Sequence, residues 1–265
     1  MIDTVERPQT FREAKERGLK KKPDALSEVL LADPISLPIA YMISRYAPVH
    51  PLVVSAFAFG ARILAAWQFA VGNLVSGAVL AFVGFVLDAV DGKVARMTRR
   101  DEVLHGSFDF MLDSLAFVLM GLGLSYWARQ AANDWTLLGL LAWMGSVSFF
   151  LAVSSTAYRL AAASGITETT RRGAGDAVSR LLEGREGDPT AQVMLSVYRA
   201  YVRLWKRAAR YRLLPLPNIV DSEVVLFVMA PLFGVPSWLV FLAVAFVLPD
   251  IVLVLAGAFA LARRG

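Results

Sequence analysis

Cysteine is absent from the 265-residue chain, and histidine occurs only twice. The absence of cysteine excludes disulfide bonds, thiolate catalysis and zinc–thiolate sites, but it does not identify a compartment. Charged residues are also scarce at 18%, whereas hydrophobic residues make up 57% of the chain and the mean hydropathy is +0.54. Soluble domains of this length are less apolar, so the composition indicates a polytopic membrane protein.

The N-terminal residues lack the basic and then apolar pattern of a cleaved signal peptide, so we expect them to stay in the cytoplasm. The net charge of +5 and the pI near 9.6 are compatible with nucleic-acid binding. However, the basic residues flank hydrophobic runs, where they indicate membrane topology and contact with anionic lipid. We therefore expect membrane lipid, and no nucleic acid, as the partner of these charges.

Six apolar segments predict an all-α fold with six transmembrane helices. The segments run over residues 50–71, 74–96, 105–127, 135–162, 219–233 and 238–261. Alternating them places every cationic cluster on one side of the membrane, as the positive-inside rule requires. The sequence thus predicts an integral protein of the cell membrane with both termini in the cytoplasm.

The spans and their connections divide the chain into five predicted regions. These are a basic cytoplasmic arm (1–23), an amphipathic interfacial helix (24–46), the first four spans (47–163), a cytoplasmic insertion (164–216) and the last two spans (217–265). The interfacial helix is predicted from an apolar stripe at helical spacing, formed by Ile35, Ile39, Met42, Ile43 and Tyr46.

The second half of the insertion has two faces of opposite character. An apolar stripe consists of Met194, Val197, Tyr198, Tyr201, Trp205 and Ala208, and a basic face consists of Arg199, Arg203, Lys206, Arg207 and Arg210. This pattern predicts a basic amphipathic helix on the membrane surface. Binding of a partner and gating of a cavity are the alternatives.

Four aspartates lie within apolar sequence, at Asp88, Asp91, Asp109 and Asp113. The first two are three residues apart and the last two are four apart, so each pair shares one face of a helix. Two facing helices would bring all four carboxylates together. Such acids at membrane depth must be protonated, paired or bound to cations. Oxygen ligands without cysteine favour Mg²⁺ or Mn²⁺.

Small residues and a cation follow the first pair. Gly92 and Ala95 lie four and seven residues after Asp88, which keeps one stripe of that helix small enough for a ligand to approach the backbone. Arg96 offers a planar cation to a phosphate.

Together these residues resemble the signature of the CDP-alcohol phosphotransferases, D-x2-D-G-x2-A-R-x8-G-x3-D-x3-D, a family of integral membrane enzymes. Seven of the eight fixed positions match, namely Asp88, Asp91, Gly92, Ala95, Arg96, Asp109 and Asp113. His105 stands where the family has its second glycine, and Gly106 follows one residue later. The resemblance covers residues 24–163 and 214–262.

The resemblance implies a transferase that moves a phosphoalcohol, for example a phosphatidyl group, from a CDP-alcohol to an acceptor hydroxyl and releases CMP, as in phospholipid synthesis. It implies CDP-diacylglycerol or a similar donor, a homodimer, and an active site that faces the cytoplasm. It also implies two divalent cations, Mg²⁺ or Mn²⁺, held by Asp88, Asp91, Asp109 and Asp113. Asp109 and Asp113 are then the catalytic residues, with Asp113 as the general base.

By the same resemblance, Gly92, Ala95, Arg96 and Gly106 accommodate the nucleotide and its diphosphate. Ser55, four residues after Pro51, is similar to part of the P-N-x-x-T opening of the family's first transmembrane helix, although Leu52 replaces the asparagine. We assign Arg62 and Arg159 to the acceptor pocket. Arg159, together with Asp221 and Glu223, resembles positions in family members that use inositol phosphate as acceptor.

Two other classes of protein fit the same residues. A proton- or ion-coupled transporter would use the buried acids as a relay. A degenerate member of the family would bind a ligand without catalysis, as the displaced glycine and the insertion allow.

Overall fold

The computed structural model of the chain describes residues 7–19, 23–47, 49–98, 103–163 and 189–262. The side chains of residues 103–108, 157–163, 189–195, 197, 198 and 256–262 lie outside this description. Within the described ranges the secondary structure is helical, apart from one isolated parallel bridge between Asp24 and Leu213. The prediction of an all-α fold is confirmed for this part of the chain.

The helices follow one another with short connections. In chain order they are α1 (Phe11–Gly18), the π-helical segment π1 (Glu28–Ala32), α2 (Asp33–Tyr46), α3 (Pro51–Ala70), α4 (Leu74–Thr98), α5 (Val103–Gln130), α6 (Asp134–Ala163), α7 (Pro189–Ala209), α8 (Ile219–Val224), the π-helical segment π2 (Val225–Met229), α9 (Ala230–Leu232) and α10 (Ser237–Ala262). The backbone stays helical from π1 into α2 and from α8 through π2 into α9, so each set forms one continuous helix.

Within the described ranges, five helices are long and apolar enough to cross a membrane. They comprise Pro51–Ala70, Leu74–Thr98, Asp109–Gln130, Asp134–Thr156 and Ser237–Leu255. The remaining predicted span corresponds to the continuous helix of α8, π2 and α9, which does not reach the required length. Its residues 219–232 rise about 21 Å, against about 30 Å for the hydrocarbon core of a bilayer.

Three connections lie together at one end of the helix bundle. Gly72, with a φ of +85°, allows the tight turn from α3 to α4, and it lines one cleft together with Gly234 from the turn before α10. The hydroxyl of Thr136, at the start of α6, lies 3.2 Å from the carbonyl oxygen of Val235. The short α8–π2–α9 helix therefore ends beside the turns that join α3 to α4 and α5 to α6.

Helix α3 packs against both α4 and α5, and glycines permit the close approach. A Cβ added to Gly84 of α4 would lie 3.1 Å from the carbonyl oxygen of Ala58, and one added to Gly123 of α5 would lie 2.3 Å from that of Ala66. Small residues at such contacts let helix backbones come together. Because α3 is held in this way, its side chains reach both helices that carry the signature acids.

Residues 11–18, within the predicted cytoplasmic arm, form α1, which packs on α2 and α4. The side chain of Thr10 caps the helix by accepting from the backbone N–H of Glu13 at 3.2 Å. The backbone N–H of Gln9 donates to the Glu13 carboxylate at 2.7 Å and lowers the pKa of Glu13. Ala14 is fully buried. Residues 11–18 of the predicted arm therefore form a packed helix, which the sequence did not predict.

Two helices show the amphipathic faces that the sequence predicts. On α2, Ile35, Met42 and Tyr46 of the predicted apolar stripe are exposed, whereas Ile39 and Ile43 pack against a hydrophobic cluster formed with α1, α3 and α4. On α7, Trp205 of the apolar stripe is half-buried. The predicted basic side chains are exposed, namely Arg199, Arg203, Lys206 and Arg207 in the helix and Arg210 directly after it. Exposed apolar side chains and a basic face both suit a membrane surface, where their placement remains a prediction.

Candidate metal centre

Three of the four signature aspartates converge. Asp88 and Asp91 lie on one face of α4, and Asp109 lies on the facing part of α5; one carboxylate oxygen from each lies within 4.8 Å of those of the other two. Oxygens that share one small divalent cation lie at most about 4–5 Å apart, because each lies about 2.0–2.6 Å from the ion. We call these residues the three-acid group; among the described residues no second cluster of possible ligands is as close.

Asp91 is the most deeply buried member of this group. Its side chain is 1% exposed, and among the described residues neither carboxylate oxygen has a hydrogen-bond partner. The Ser55 hydroxyl interacts with this carboxylate, but it donates its hydrogen bond to the carbonyl oxygen of Pro51 at 3.3 Å. A buried carboxylate without a donor is costly, and a divalent cation would supply the missing partner. The residues present therefore fit Mg²⁺ or Mn²⁺.

The fourth aspartate has a different partner. Asp113 lies one turn beyond Asp109 but outside the three-acid group, and its Oδ1 contacts Nη1 of Arg62 from α3. The same nitrogen lies 3.7 Å from Oδ1 of Asp88, and Nη2 lies 3.3 Å from Oε1 of Glu223 in α8. We call Arg62 and these three carboxylates the Arg62 cluster.

The residues predicted to contact the nucleotide lie on α4, beside the acids. Ala95 is buried, and the Arg96 side chain folds back so that a Cβ added to Gly92 would lie 3.2 Å from its Nη1. Nε of Arg96 donates to the carbonyl oxygen of Gly18, the last residue of α1, at 2.8 Å. A cation at a helix C-terminus is favourable. Helix α1 thus anchors the signature arginine, which the sequence did not predict.

Two of the predicted contacts cannot be compared with the structure. Arg159 lies in α6 and Gly106 in α5, but the side chains around both positions are outside the described set. Their roles, and the effect of His105 at the expected glycine position, remain predictions. Arg62, the other residue predicted for the acceptor pocket, is enclosed by carboxylates of this chain.

A second buried ion-pair cluster was missed in the sequence. Lys93 is 1% exposed, and its Nζ lies 2.9 Å from Oε1 of Glu28 in π1 and 2.8 Å from Oδ1 of Asp33 in α2. Arg212, after α7, contacts the other oxygen of Asp33 at 2.8 Å. A lysine inside an apolar helix needs acidic partners, so its position in the sequence of α4 was the signal that could have predicted this cluster. Lys93 is therefore a buried and paired charge rather than a solvated one.

Two further buried acids cap a helix. Asp221 accepts from the backbone N–H and the hydroxyl of Ser27, both at 2.7 Å, and forms a capping box with Asn218. Asp250, within α10, accepts from the backbone N–H of Ile219 at 3.0 Å. Carboxylates are favourable at a helix N-terminus, so both residues have a structural explanation at the start of α8.

In the described part of the chain, the fold and site define an α-helical protein with five helices that could span a membrane and a group of three carboxylates, one of them fully buried, between two of these helices. No protein-family model matches the chain, and no curated protein is significantly similar to it. The resemblance to the CDP-alcohol phosphotransferases therefore rests on the signature residues alone.

Proposed function

We propose that this protein is a CDP-alcohol phosphotransferase, which moves a phosphoalcohol from a CDP-alcohol to an acceptor hydroxyl and releases CMP. The observation that carries the proposal is the three-acid group, in which Asp88, Asp91 and Asp109 approach within 4.8 Å and both oxygens of Asp91 lack hydrogen-bond partners. These are the first three acids of the signature. Their convergence is what a cation-dependent transferase of this class requires.

The side chains around the three-acid group suit a diphosphate substrate. Asp88, Asp91 and Asp109 would hold the divalent cations, of which the resemblance implies two; when bound, Mg²⁺ or Mn²⁺ neutralises charge on the diphosphate and on the leaving oxygen. Arg96, held by Gly18, adds a fixed cation for a phosphate oxygen. The small residues Gly92 and Ala95 leave room for the nucleotide on α4.

Asp113 is the proposed general base. The acceptor oxygen attacks the phosphorus that carries the alcohol, the bond from this phosphorus to the bridging oxygen breaks, and CMP leaves with the bonding electron pair. The proton of the acceptor hydroxyl passes to the Asp113 carboxylate. The Arg62 guanidinium contacts this carboxylate and orients it.

We also propose that the α8–π2–α9 helix is a sixth span and that the acid site and both termini face the cytoplasm. The position of the α9–α10 turn beside the turns before α4 and α6 supports a crossing by this short helix. A homodimer is proposed from the resemblance. Mass measurement in mild detergent should give two chains per particle, and a purely monomeric protein would contradict it.

The decisive experiment measures CMP release from radiolabelled CDP-diacylglycerol by the purified protein, with a panel of acceptor alcohols that includes inositol phosphate. CMP formation should require Mg²⁺ or Mn²⁺, and both a chelator and Asp91→Asn should abolish it. Asp134→Asn, an exposed acid at the start of α6, is the matched control and should retain activity. Absence of CMP with every acceptor and both metals would reject the proposal.

The Arg62 cluster gives one observation in favour of a transporter, because a buried arginine with three carboxylates on three helices is a plausible relay. A transporter would move protons or ions across sealed vesicles without consuming a CDP-alcohol. A non-catalytic family member would bind the CDP-lipid without either activity. Flux and CMP release measured on the same vesicles distinguish these functions.

A further inference from the structure

The guanidinium of Arg62 connects three helices at the edge of the three-acid group. Nη1 contacts Asp113 of α5 and lies 3.7 Å from Asp88 of α4, while Nη2 lies 3.3 Å from Glu223 of α8. Asp88 thus belongs both to the three-acid group and to the Arg62 cluster, whereas Asp113 belongs to the Arg62 cluster alone. The chain therefore supplies a permanent cation to the one signature acid that does not join the other three.

Packing holds Arg62 in this position. Its side chain is 1% exposed, and a Cβ on Gly84 would lie 2.6 Å from its Cγ, so the arginine crosses α4 where that helix has no side chain. The ring of Phe117 lies 5.9 Å from Cζ on another side of the guanidinium. Arg62 cannot turn away from Asp113 unless α3 repacks against α4.

Glu223 balances the charge that Arg62 brings. If both are ionised, the pair adds no net charge to the four aspartates, so their capacity for divalent cations is unchanged. The pair instead orients the Asp113 carboxylate, because a guanidinium presents donors in a fixed planar arrangement. It provides Asp113 with a partner that is part of the protein.

We propose that Arg62 and Glu223 are positioning residues that hold Asp113 apart from the divalent cations, so that its carboxylate remains available to the acceptor. This inference rests on the proposed function for the role of Asp113 as base. The separation of Asp113 from the cation ligands is independent of it and can be measured without turnover. Without Arg62, the Asp113 carboxylate would rotate towards the divalent cation bound by Asp109, which lies one helical turn away.

The test measures Mn²⁺ affinity of the purified full-length protein in detergent by electron paramagnetic resonance. Asp113→Asn in the wild-type background should change the Mn²⁺ dissociation constant by less than about threefold, whereas Asp109→Asn should raise it by about 10-fold or more. In the charge-balanced double variant Arg62→Gln/Glu223→Gln, Asp113 is released, and Mn²⁺ should bind about 10-fold more tightly. Adding Asp113→Asn to that variant should remove the gain.

A matched control is the other buried ion pair, Lys93 with Glu28. The double variant Lys93→Gln/Glu28→Gln also removes one buried cation and one carboxylate, and it should leave Mn²⁺ affinity within about threefold of wild type. A similar gain in this control would show that the Arg62 result reflects general loosening, and it would overturn the proposal. If the Arg62 variant does not fold, the proposal is still tested by the Mn²⁺ dissociation constants of Asp113→Asn and Asp109→Asn in the wild-type background.

Weaker Mn²⁺ binding by Asp113→Asn in the wild-type background would overturn the inference, because Asp113 would then be a ligand despite Arg62. CMP release from the same samples separates the two proposals. Expected Mn²⁺ affinities without any CMP release would reject the transferase while the positioning by Arg62 stands. If the wild-type protein releases CMP, Arg62→Gln/Glu223→Gln should lower kcat about as much as Asp113→Asn does. The triple variant that combines these substitutions should lose little further kcat.

Discussion

The buried carboxylates of this protein differ in how fully their oxygens are satisfied. Asp250 accepts from a backbone N–H at a helix start, and Asp113 contacts the Arg62 guanidinium. Asp91, which is as deeply buried as Asp250, has no hydrogen bond at either oxygen from the described side chains. Function is expected where a protein keeps such an unfavourable group, because selection for stability alone would remove it.

This difference predicts opposite effects of one substitution at two buried sites. Without metal, and at a pH high enough to ionise the Asp91 carboxylate, Asp91→Asn removes an uncompensated charge and should raise the free energy of unfolding by about 1–3 kcal/mol. Asp250→Asn weakens a charged helix cap and should lower it by about 1 kcal/mol. Thermal unfolding in detergent with a chelator measures both. A loss of stability in Asp91→Asn would mean that its carboxylate is satisfied in the folded protein.

The two acids on α5 should separate cation binding from proton transfer. If Asp113 is the base, Asp113→Asn should retain CDP-alcohol affinity at saturating metal while turnover falls by about 10²-fold or more. Asp109→Asn should weaken both metal binding and turnover. Pre-steady-state binding and CMP release at several metal concentrations measure these effects. Near-normal turnover of Asp113→Asn would show that Asp113 is not the general base. Full rescue of its turnover by added metal would show that Asp113 is a metal ligand instead.

At the scale of helices, close packing between α3 and α4 determines where Arg62 lies. Gly84→Ala would place a methyl group 2.6 Å from Cγ of Arg62 and 3.1 Å from the carbonyl oxygen of Ala58. Because backbone atoms must then shift, we expect a loss of about 1–3 kcal/mol in stability, together with lower turnover. Thermal unfolding and CMP release on the same preparation measure both effects.

Gly60 provides the matched control in the interior of α3. No heavy atom lies within 4 Å of a Cβ added there, so Gly60→Ala should stabilise the helix by about 0.5–1 kcal/mol and leave turnover unchanged. Equal effects of the two substitutions would mean that contact with Arg62 is not what makes Gly84 necessary.

Long apolar runs predicted the helices that could span the membrane, usually to within a few residues, because such runs have few other stable conformations in lipid. The acid spacing predicted that all four aspartates converge; Asp88, Asp91 and Asp109 do, whereas Asp113 lies outside their group. Partners from distant helices were not predictable in this way. Arg62 and Asp113 are 51 positions apart, and only the packing of α3 against α5 brings them together.

Short elements were also difficult to predict. Helix α1 has eight residues in a strongly charged segment, and its stability comes from packing on α2 and α4 rather than from its own periodicity. The π-helical segments π1 and π2 have no pattern that differs from an ordinary helix in a single sequence. The partners of Lys93 were not predictable either, because Glu28 lies in π1 and Asp33 at the start of α2, both far from Lys93 in the sequence.

For the whole molecule, the number of spans depends on the α8–π2–α9 helix. It is too short to cross a flat bilayer unaided, yet it ends at the bundle end that carries the turns before α4 and α6. Its start is held by Asp250 from within α10, so the helix begins partway along that span. A polar N-terminus satisfied by protein groups allows such a helix to begin below the membrane surface.

Site-directed labelling should therefore place its two ends on opposite sides of the membrane. The chain has no cysteine, so single variants at Asn73, Tyr211 and Phe233, all exposed, give unambiguous signals. In sealed vesicles an impermeant maleimide should label Asn73→Cys and Phe233→Cys from the same face and Tyr211→Cys from the other. Permeabilised vesicles, in which all three should react, provide the control. If Phe233→Cys is instead labelled from the face of Tyr211→Cys, the helix re-enters without crossing, the protein has five spans, and its termini lie on opposite sides.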